Sequence, residues 1–252
     1  MTVLGSSAGT PICGNPGSGY LVDDGHTRVV VDMGPGVFGA LCDTLSERGL
    51  TPASIDAVVI SHIHIDHSTD FLALYSWFAY GPSGRLPVRA FVPAGARDHL
   101  AAFARAGDDH QFHSVFDFTT VGQGDTASVG GLRLGFAETN HPVPTIATRI
   151  DNSEASIAYT SDTGPSPEVA LLAAGCDVLL AESTYGGPPE ARGYPFHLTA
   201  TEAGRMAAGA GAGRLVLTHL GFSLDPRLAV AEAAAVFSGD VEVAEPGTEI
   251  RI

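Results

Sequence analysis

The amino-acid sequence predicts an α/β fold of four layers, an αββα sandwich of two mixed β-sheets flanked by helices. Three observations carry this. The apolar runs are short, β-branched and bounded by Gly, Pro or Asp, which is how strands read. They come hairpin-like in the first part of the chain and alternate with helical patterns later, a mixture that suits two packed sheets better than one doubly wound sheet. No low-complexity linker divides the 252 residues, and the Gly/Pro-rich stretches 81–87 and 186–195 are loop-sized, so a single domain over 1–252 is expected.

In chain order, strands are expected at 20–22, 28–32, 57–61, 89–92, 132–137, 146–150, 157–160, 178–181 and 214–218. A helix over 38–48 follows a Gly-Pro-Gly turn, and one over 94–106 opens after Pro93. A third, over 199–209, starts with Thr199 and Glu202 spaced as a capping box. The last, Ala-rich over 226–237, has Pro226 at a first-turn position. The longest apolar stretch, 71–80, is far too short to span a bilayer.

Composition narrows the partners. The net charge is −15, and all 13 basic residues are Arg. Such a surface is soluble and repels long polyanions, because nucleic-acid affinity rests largely on Lys and Arg neutralising phosphates. A small substrate is favoured over a large RNA. Cys13, Cys42 and Cys176 are odd in number and irregular in spacing, which suggests neither a disulfide framework nor a thiolate zinc site. Cys176, beside an apolar run, reads as a small core residue. The first residues carry no basic segment leading into an apolar one, so a cytoplasmic location is the default expectation.

The chemistry is concentrated in Ser61-His62-Ile63-His64-Ile65-Asp66-His67, directly after the apolar run 57–60. If the strand continues, His62 and His64 project from one face, and a turn brings Asp66 and His67 to the same pocket. Imidazole and carboxylate suit zinc, manganese or iron. The plain alternative, a solvated polar loop, does not account for three histidines and an aspartate within six residues.

This segment resembles the H-x-H-x-D-H hallmark of the metallo-β-lactamase fold superfamily, and the resemblance runs along nearly the whole chain. His141 in Thr-Asn-His-Pro, Asp162 in Ser-Asp-Thr-Gly and His219 in Leu-Thr-His-Leu each follow an expected strand. The family pattern implies that His62, His64 and His141 hold one divalent cation, that Asp66, His67 and His219 hold another, and that Asp162 bridges them. Zinc is the first expectation, with manganese and iron as alternatives. Two cations about 3.5–4 Å apart bring the pKa of a bridging water towards neutrality and stabilise attacking and leaving oxygens together. Asp162 also separates the chain from true β-lactamases, several of which use Cys in that neighbourhood.

His197-Leu-Thr-Ala-Thr-Glu-Ala is similar, except for Leu198 at the [ST] position, to the H-[ST]-x-x-x-E-A motif of the tRNase Z branch and its phosphodiesterase relatives, where the histidine lies near the scissile phosphate. A protonated His197 stabilises the phosphorane or protonates the leaving oxygen. Glu182, ending a strand, is placed to orient it. The catalytic set expected is therefore Asp66, His197 and Glu182. Gly-Tyr-Leu-Val at 19–22, the segment 30–41 and Glu-Ser-Thr at 182–184 together resemble compact bacterial enzymes likened to class II cyclic nucleotide phosphodiesterases.

Several readings follow. A tRNA 3′-processing endonuclease carries a protruding basic arm between the third ligand and the bridging Asp, yet only about twenty strand-like residues separate His141 from Asp162. A small phosphodiester such as 3′,5′-cyclic AMP needs no arm and is the favoured substrate. A glyoxalase II-type thioesterase shares the hallmark but wants basic residues for glutathione. A non-catalytic metal-binding module is expected to have lost ligands, and here every ligand position is filled. Homodimers are common among the relatives.

Other residues invite less. The loop 34–39 can offer N–H groups to an anion at a helix start, though such loops more often serve close packing. Trp77, Phe78 and Tyr80 can stack a base but read better as core. His99, His110 and His113 are expected to be exposed, and Arg149 and Arg205 are phosphate-contact candidates by residue type alone.

Overall fold

A computed structural model describes residues 1–12, 14–81, 86–104 and 109–251. Cys13, the side chain of His110 and residues 105–106 of the expected second helix lie outside the described residues. The chain forms two compact units, Met1–Val121 with Val129–Gly131 and Glu245–Arg251, and Gly122–Ser128 with Leu132–Ala244. Each holds one mixed sheet with helices on it.

The first unit's sheet runs in chain order: β1 (Thr2–Gly5), β2 (Gly19–Asp23), β3 (Arg28–Val31), β4 (Ala57–Val59), β5 (Val88–Val92) and β6 (Phe116–Thr120). β1 to β3 are antiparallel and β3 to β6 parallel. The helices are α1 (Val37–Glu47), α2 (Ile65–Ser68), α3 (Phe71–Tyr80), α4 (Ala96–Ala104) and α5 (Asp109–Val115). Helix α1 buries Val37, Leu41 and Leu45, every fourth residue, and so lays a single face on the strands. Each such side chain contributes about 1.5–3 kcal/mol by leaving water. Phe71, Tyr75, Phe112 and Phe116 form an aromatic cluster, with the Phe71 and Phe116 centroids 4.4 Å apart. Phe78 is buried in the same core, Trp77 packs partly buried against it, and Tyr80 is exposed.

The second unit's sheet contains β7 (Thr126–Val129), β8 (Leu132–Glu138), β9 (Ile146–Asp151), β10 (Ser156–Tyr159), β11 (Val178–Glu182), β12 (Arg214–Thr218) and β13 (Asp240–Val243), again adjacent in chain order. β8 to β10 are antiparallel and β10 to β13 parallel. Its helices are α6 (Pro167–Leu172), α7 (Ala200–Ala210) and α8 (Pro226–Ala234). Thr199 and Glu202 form the expected capping box, worth about 1 kcal/mol. Helices α7 and α8 pack closely through small residues: a Cβ on Gly204 would sit 2.7 Å from the Ala233 carbonyl oxygen. Cys176 lies in this core, and burial pushes its thiol up to about 11, so it is an inert apolar residue.

The nine expected strands all form, with no end shifted by more than two residues. The four that were not expected, β1, β6, β7 and β13, are the edges of the two sheets. β6, β7 and β13 are short and half-exposed, with sequences FDFTT, TASV and DVEV that lack an apolar run. β1 is buried because the segment after β13 covers it, through Val3 N–H to the Thr248 carbonyl and Ile250 N–H to the Met1 carbonyl. Among the described residues no helix is long and apolar enough to cross a membrane.

Candidate functional site

In the first unit the histidine-rich segment lies past the end of β4. The strand stops at Val59, so His62 and His64 are loop residues rather than neighbours on one strand face, a correction to the expected geometry. The chain turns after His64 into the single-turn helix α2, which carries Asp66 and His67. His62 Nε2 and His64 Nδ1 are 3.0 Å apart, and the His62 and His67 ring centroids 4.2 Å apart. Asp66 Oδ2 lies 3.6 Å from His67 Nε2 and accepts the Gly9 N–H at 2.6 Å.

Asp32, the residue after β3, organises this loop from below. Its fully buried carboxylate accepts the Ser61 N–H at 2.7 Å, the Ser61 hydroxyl at 2.8 Å and His67 Nδ1–H at 2.8 Å. The Ser61 hydroxyl, having donated to Asp32, accepts from His62 Nδ1–H at 3.1 Å. Both imidazoles are thereby held with Nε2 bearing the lone pair, the tautomer a cation ligand requires. The loop after Asp32 serves packing: a Cβ on Gly34 would collide with the Asp66 carbonyl oxygen, and Met33 N–H donates to the His67 carbonyl. The start of α1 is not an anion site, because Asp70 Oδ2 already accepts the Phe38 N–H at 2.9 Å.

In the second unit four side chains gather at strand ends. His141 follows β8, Asp162 follows β10, Glu182 ends β11 and His219 follows β12. Asp162 Oδ1 lies 3.5 Å from His219 Nε2, and its Oδ2 3.9 Å from His141 Nε2. His141 Nδ1 points at the Phe196 carbonyl, 3.2 Å away, which again leaves the lone pair on Nε2. His197 reaches in from the loop before α7, and Asp162, His197 and His219 each offer an atom within 4.8 Å of the others. Glu182 is fully buried and accepts His197 Nδ1–H at 2.8 Å, Thr163 N–H at 3.0 Å and Thr184 N–H at 3.1 Å. Those donors satisfy a carboxylate that is shut away from water.

Among the described residues three other than glycine have positive φ: Asp32 (62°), Ser161 (52°) and His219 (53°). Each sits just past a strand, in a conformation costing about 1–2 kcal/mol for an L-residue. Two of them carry site side chains and the third precedes Asp162. Neutral imidazole nitrogens and carboxylate oxygens form a donor set that fits zinc, manganese or iron in both units.

The model of the "Beta-lactamase superfamily domain" family matches residues 27–220. The chain belongs to the metallo-β-lactamase superfamily. An uncharacterized protein of Mycobacterium tuberculosis is 35% identical over 248 residues, covering 96% of this chain and 88% of its own length. The crystal structure of the metallo-beta-lactamase fold protein YhfI from Bacillus subtilis aligns with a TM-score of 0.84 at 27% identity, covering 98% of this chain and 97% of that one. The ribonuclease Z of Methanopyrus kandleri is 28% identical over 286 residues, covering 100% of this chain and 97% of its own.

Membership makes the chain a metal-dependent hydrolase of the branch that includes the tRNase Z-like enzymes, with an α/β fold of two mixed sheets flanked by helices. Within this superfamily framework each expected site residue sits among others in its own unit: His62, His64, Asp66 and His67 in the first, His141, Asp162, Glu182, His197 and His219 in the second. Arg149 is not a phosphate contact. It bonds Asp151 at 2.7 Å and the Leu172 and Ala174 carbonyls at the end of α6. Arg205 and His99 are exposed, whereas His113 is half-buried, its ring 6.1 Å from that of Phe112. Sequence reasoning missed Asp32 and Thr184. The available signal for Asp32 was an acidic residue closing the all-apolar run Val-Val-Val.

Proposed function

We propose that this hydrolase cleaves a small phosphodiester, with 3′,5′-cyclic AMP as the first candidate, using two divalent cations, zinc foremost, in one catalytic domain spanning the chain. In this reading His62, His64 and His141 hold one ion, Asp66, His67 and His219 the other, and Asp162 both. The ions supply Lewis acidity and a nucleophile drawn from water at neutral pH.

The observation that carries the reading is the His197–Glu182 pair. The 2.8 Å bond fixes the His197 proton on Nδ1 and raises the basicity of the ring, so Nε2 can take a second proton and present it outward. An imidazolium there stabilises charge on the phosphorane oxygens and gives its proton to the departing ribose oxygen. The ring keeps 15% of its side-chain surface open, enough to meet a substrate. Glu182 keeps both functions in register by holding the ring in one orientation.

The second unit and the charge both favour a small substrate. Residues 142–161 contain all of β9 and β10, paired antiparallel, so the position of a tRNA-binding arm is taken by sheet. Beside His197 stands Tyr194, 43% exposed, its ring centroid 6.2 Å from the imidazole and 5.0 Å from Phe196. Phe196 braces that ring, leaving it open as a stacking surface for a nucleobase. The net charge of −15 disfavours a long polyanion.

The test is a substrate panel on metal-loaded protein: cyclic AMP, cyclic GMP, cyclic dinucleotides, bis(p-nitrophenyl) phosphate, a glutathione thioester and precursor tRNA. Conversion of cyclic AMP to a nucleoside monophosphate is expected. Cleavage of precursor tRNA with no turnover of any cyclic nucleotide would replace this reading with the ribonuclease Z one.

A further inference from the structure

The segment following β11 carries a hydroxyl that the proposed chemistry has not used. Thr184 Oγ1 lies 2.9 Å from Glu182 Oε2 and 3.0 Å from His219 Nδ1. It is 3.3 Å from His197 Nδ1 and 3.3 Å from the His219 carbonyl oxygen. A hydroxyl has one proton to give and two lone pairs to accept with. Ionised Glu182 only accepts, and a charge-assisted bond at 2.9 Å is a stronger use of that proton than the longer one to the carbonyl. The Thr184 oxygen is then an acceptor, and the donor facing it at 3.0 Å is His219 Nδ1–H. That leaves the His219 lone pair on Nε2, the atom 3.5 Å from Asp162 Oδ1.

The arrangement is built rather than incidental. Thr184 N–H also bonds Glu182 Oε2, and its carbonyl accepts Gly221 N–H at 3.2 Å. A Cβ on Gly221 would collide with that carbonyl, so the residue two past His219 is a glycine where the backbones approach. The threonine is thus clamped between Glu182 and the loop bearing His219.

We infer that Thr184 is a positioning residue: its hydroxyl relays the charge of Glu182 to His219 and holds that imidazole in the tautomer that presents Nε2 to a cation. One buried carboxylate then sets two rings, His197 directly through Oε1 and His219 through Thr184. This rests on the proposed role of His219 as a ligand.

Two substitutions separate the hydroxyl from the shape of the side chain. Thr184→Val keeps the branched outline and removes the oxygen; Thr184→Ser keeps the oxygen. Zinc retention is measured by chelator competition on the full chain. The His219 tautomer is read from imidazole ¹⁵N shifts of the metal-stripped protein, with circular dichroism confirming folding. Thr184→Val is expected to weaken the second zinc about 10–100-fold, as loss of a group supporting a ligand does, and to shift His219 away from the Nδ1–H form. Thr184→Ser stays near wild type in both. Wild-type zinc retention and an Nδ1–H His219 in Thr184→Val would overturn the inference, as would a serine variant that behaves like valine. Should the wild-type chain take up no zinc, the ligand reading fails, and the tautomer measurement still decides the role of Thr184.

Discussion

Asp32→Asn probes how the metal loop is held without touching an expected ligand. Asparagine tolerates the left-handed backbone at φ 62° and its carbonyl can still accept the Ser61 N–H. What changes is the second oxygen, which becomes an NH₂ facing the Ser61 hydroxyl and His67 Nδ1, each 2.8 Å from Oδ2 in the wild type. The serine hydroxyl can rotate and accept instead. The imidazole has to move its proton to Nε2, the ligand atom. Losing charge-assisted bonds at a buried site costs about 2–3 kcal/mol, or about 5–10 °C in Tm for a chain of this size. Metal affinity at the site holding His67 falls about 10–100-fold. Differential scanning calorimetry of the metal-free protein and chelator competition of the loaded one read the two effects separately. A variant with wild-type Tm and wild-type metal retention would refute the claim that Asp32 sets His67.

Further outcomes follow from the same geometry. Asp162→Ala empties or loosens one metal site and abolishes turnover while circular dichroism stays unchanged, because the side chain lies at a strand end rather than in either apolar core; full activity would contradict the bridging role. His197→Ala keeps both metals and lowers kcat by about 10²–10⁴-fold, the range of a lost general acid, and an unchanged kcat removes the residue from the mechanism. Tyr194→Ala raises KM for cyclic AMP about 5–100-fold, as loss of one base–aromatic stack does, and leaves ribose 3′,5′-cyclic phosphate, which has no base, unaffected. An equal change for both substrates would assign Tyr194 a structural role.

Legibility differed by residue. His62, His64, Asp66 and His67 stand out because four donor side chains in six residues serve no packing purpose, and central strands such as β11 announce themselves as unbroken apolar runs. β6 and β13 were silent because an edge strand is wetted on one side and carries charges that erase the run. The strand expected over 57–61 stops two residues early and does not continue through His62, because register with β3 and β5 ends at Val59 and the chain then turns towards Asp32. Asp32 and Thr184 contribute through partners 35 residues away, the separations of Asp32 from His67 and of Thr184 from His219, and such pairings exist only once the strands are adjacent. Arg149 shows the converse: a residue type suited to phosphate was already committed to Asp151 and two carbonyls.

These side chains are proposed to hold two cations for hydrolysis. Elemental analysis of the reconstituted, gel-filtered protein, calibrated by amino-acid analysis, tests this most directly. Two equivalents of divalent metal per chain are predicted. A folded protein that comes through the same treatment free of metal would contradict the account.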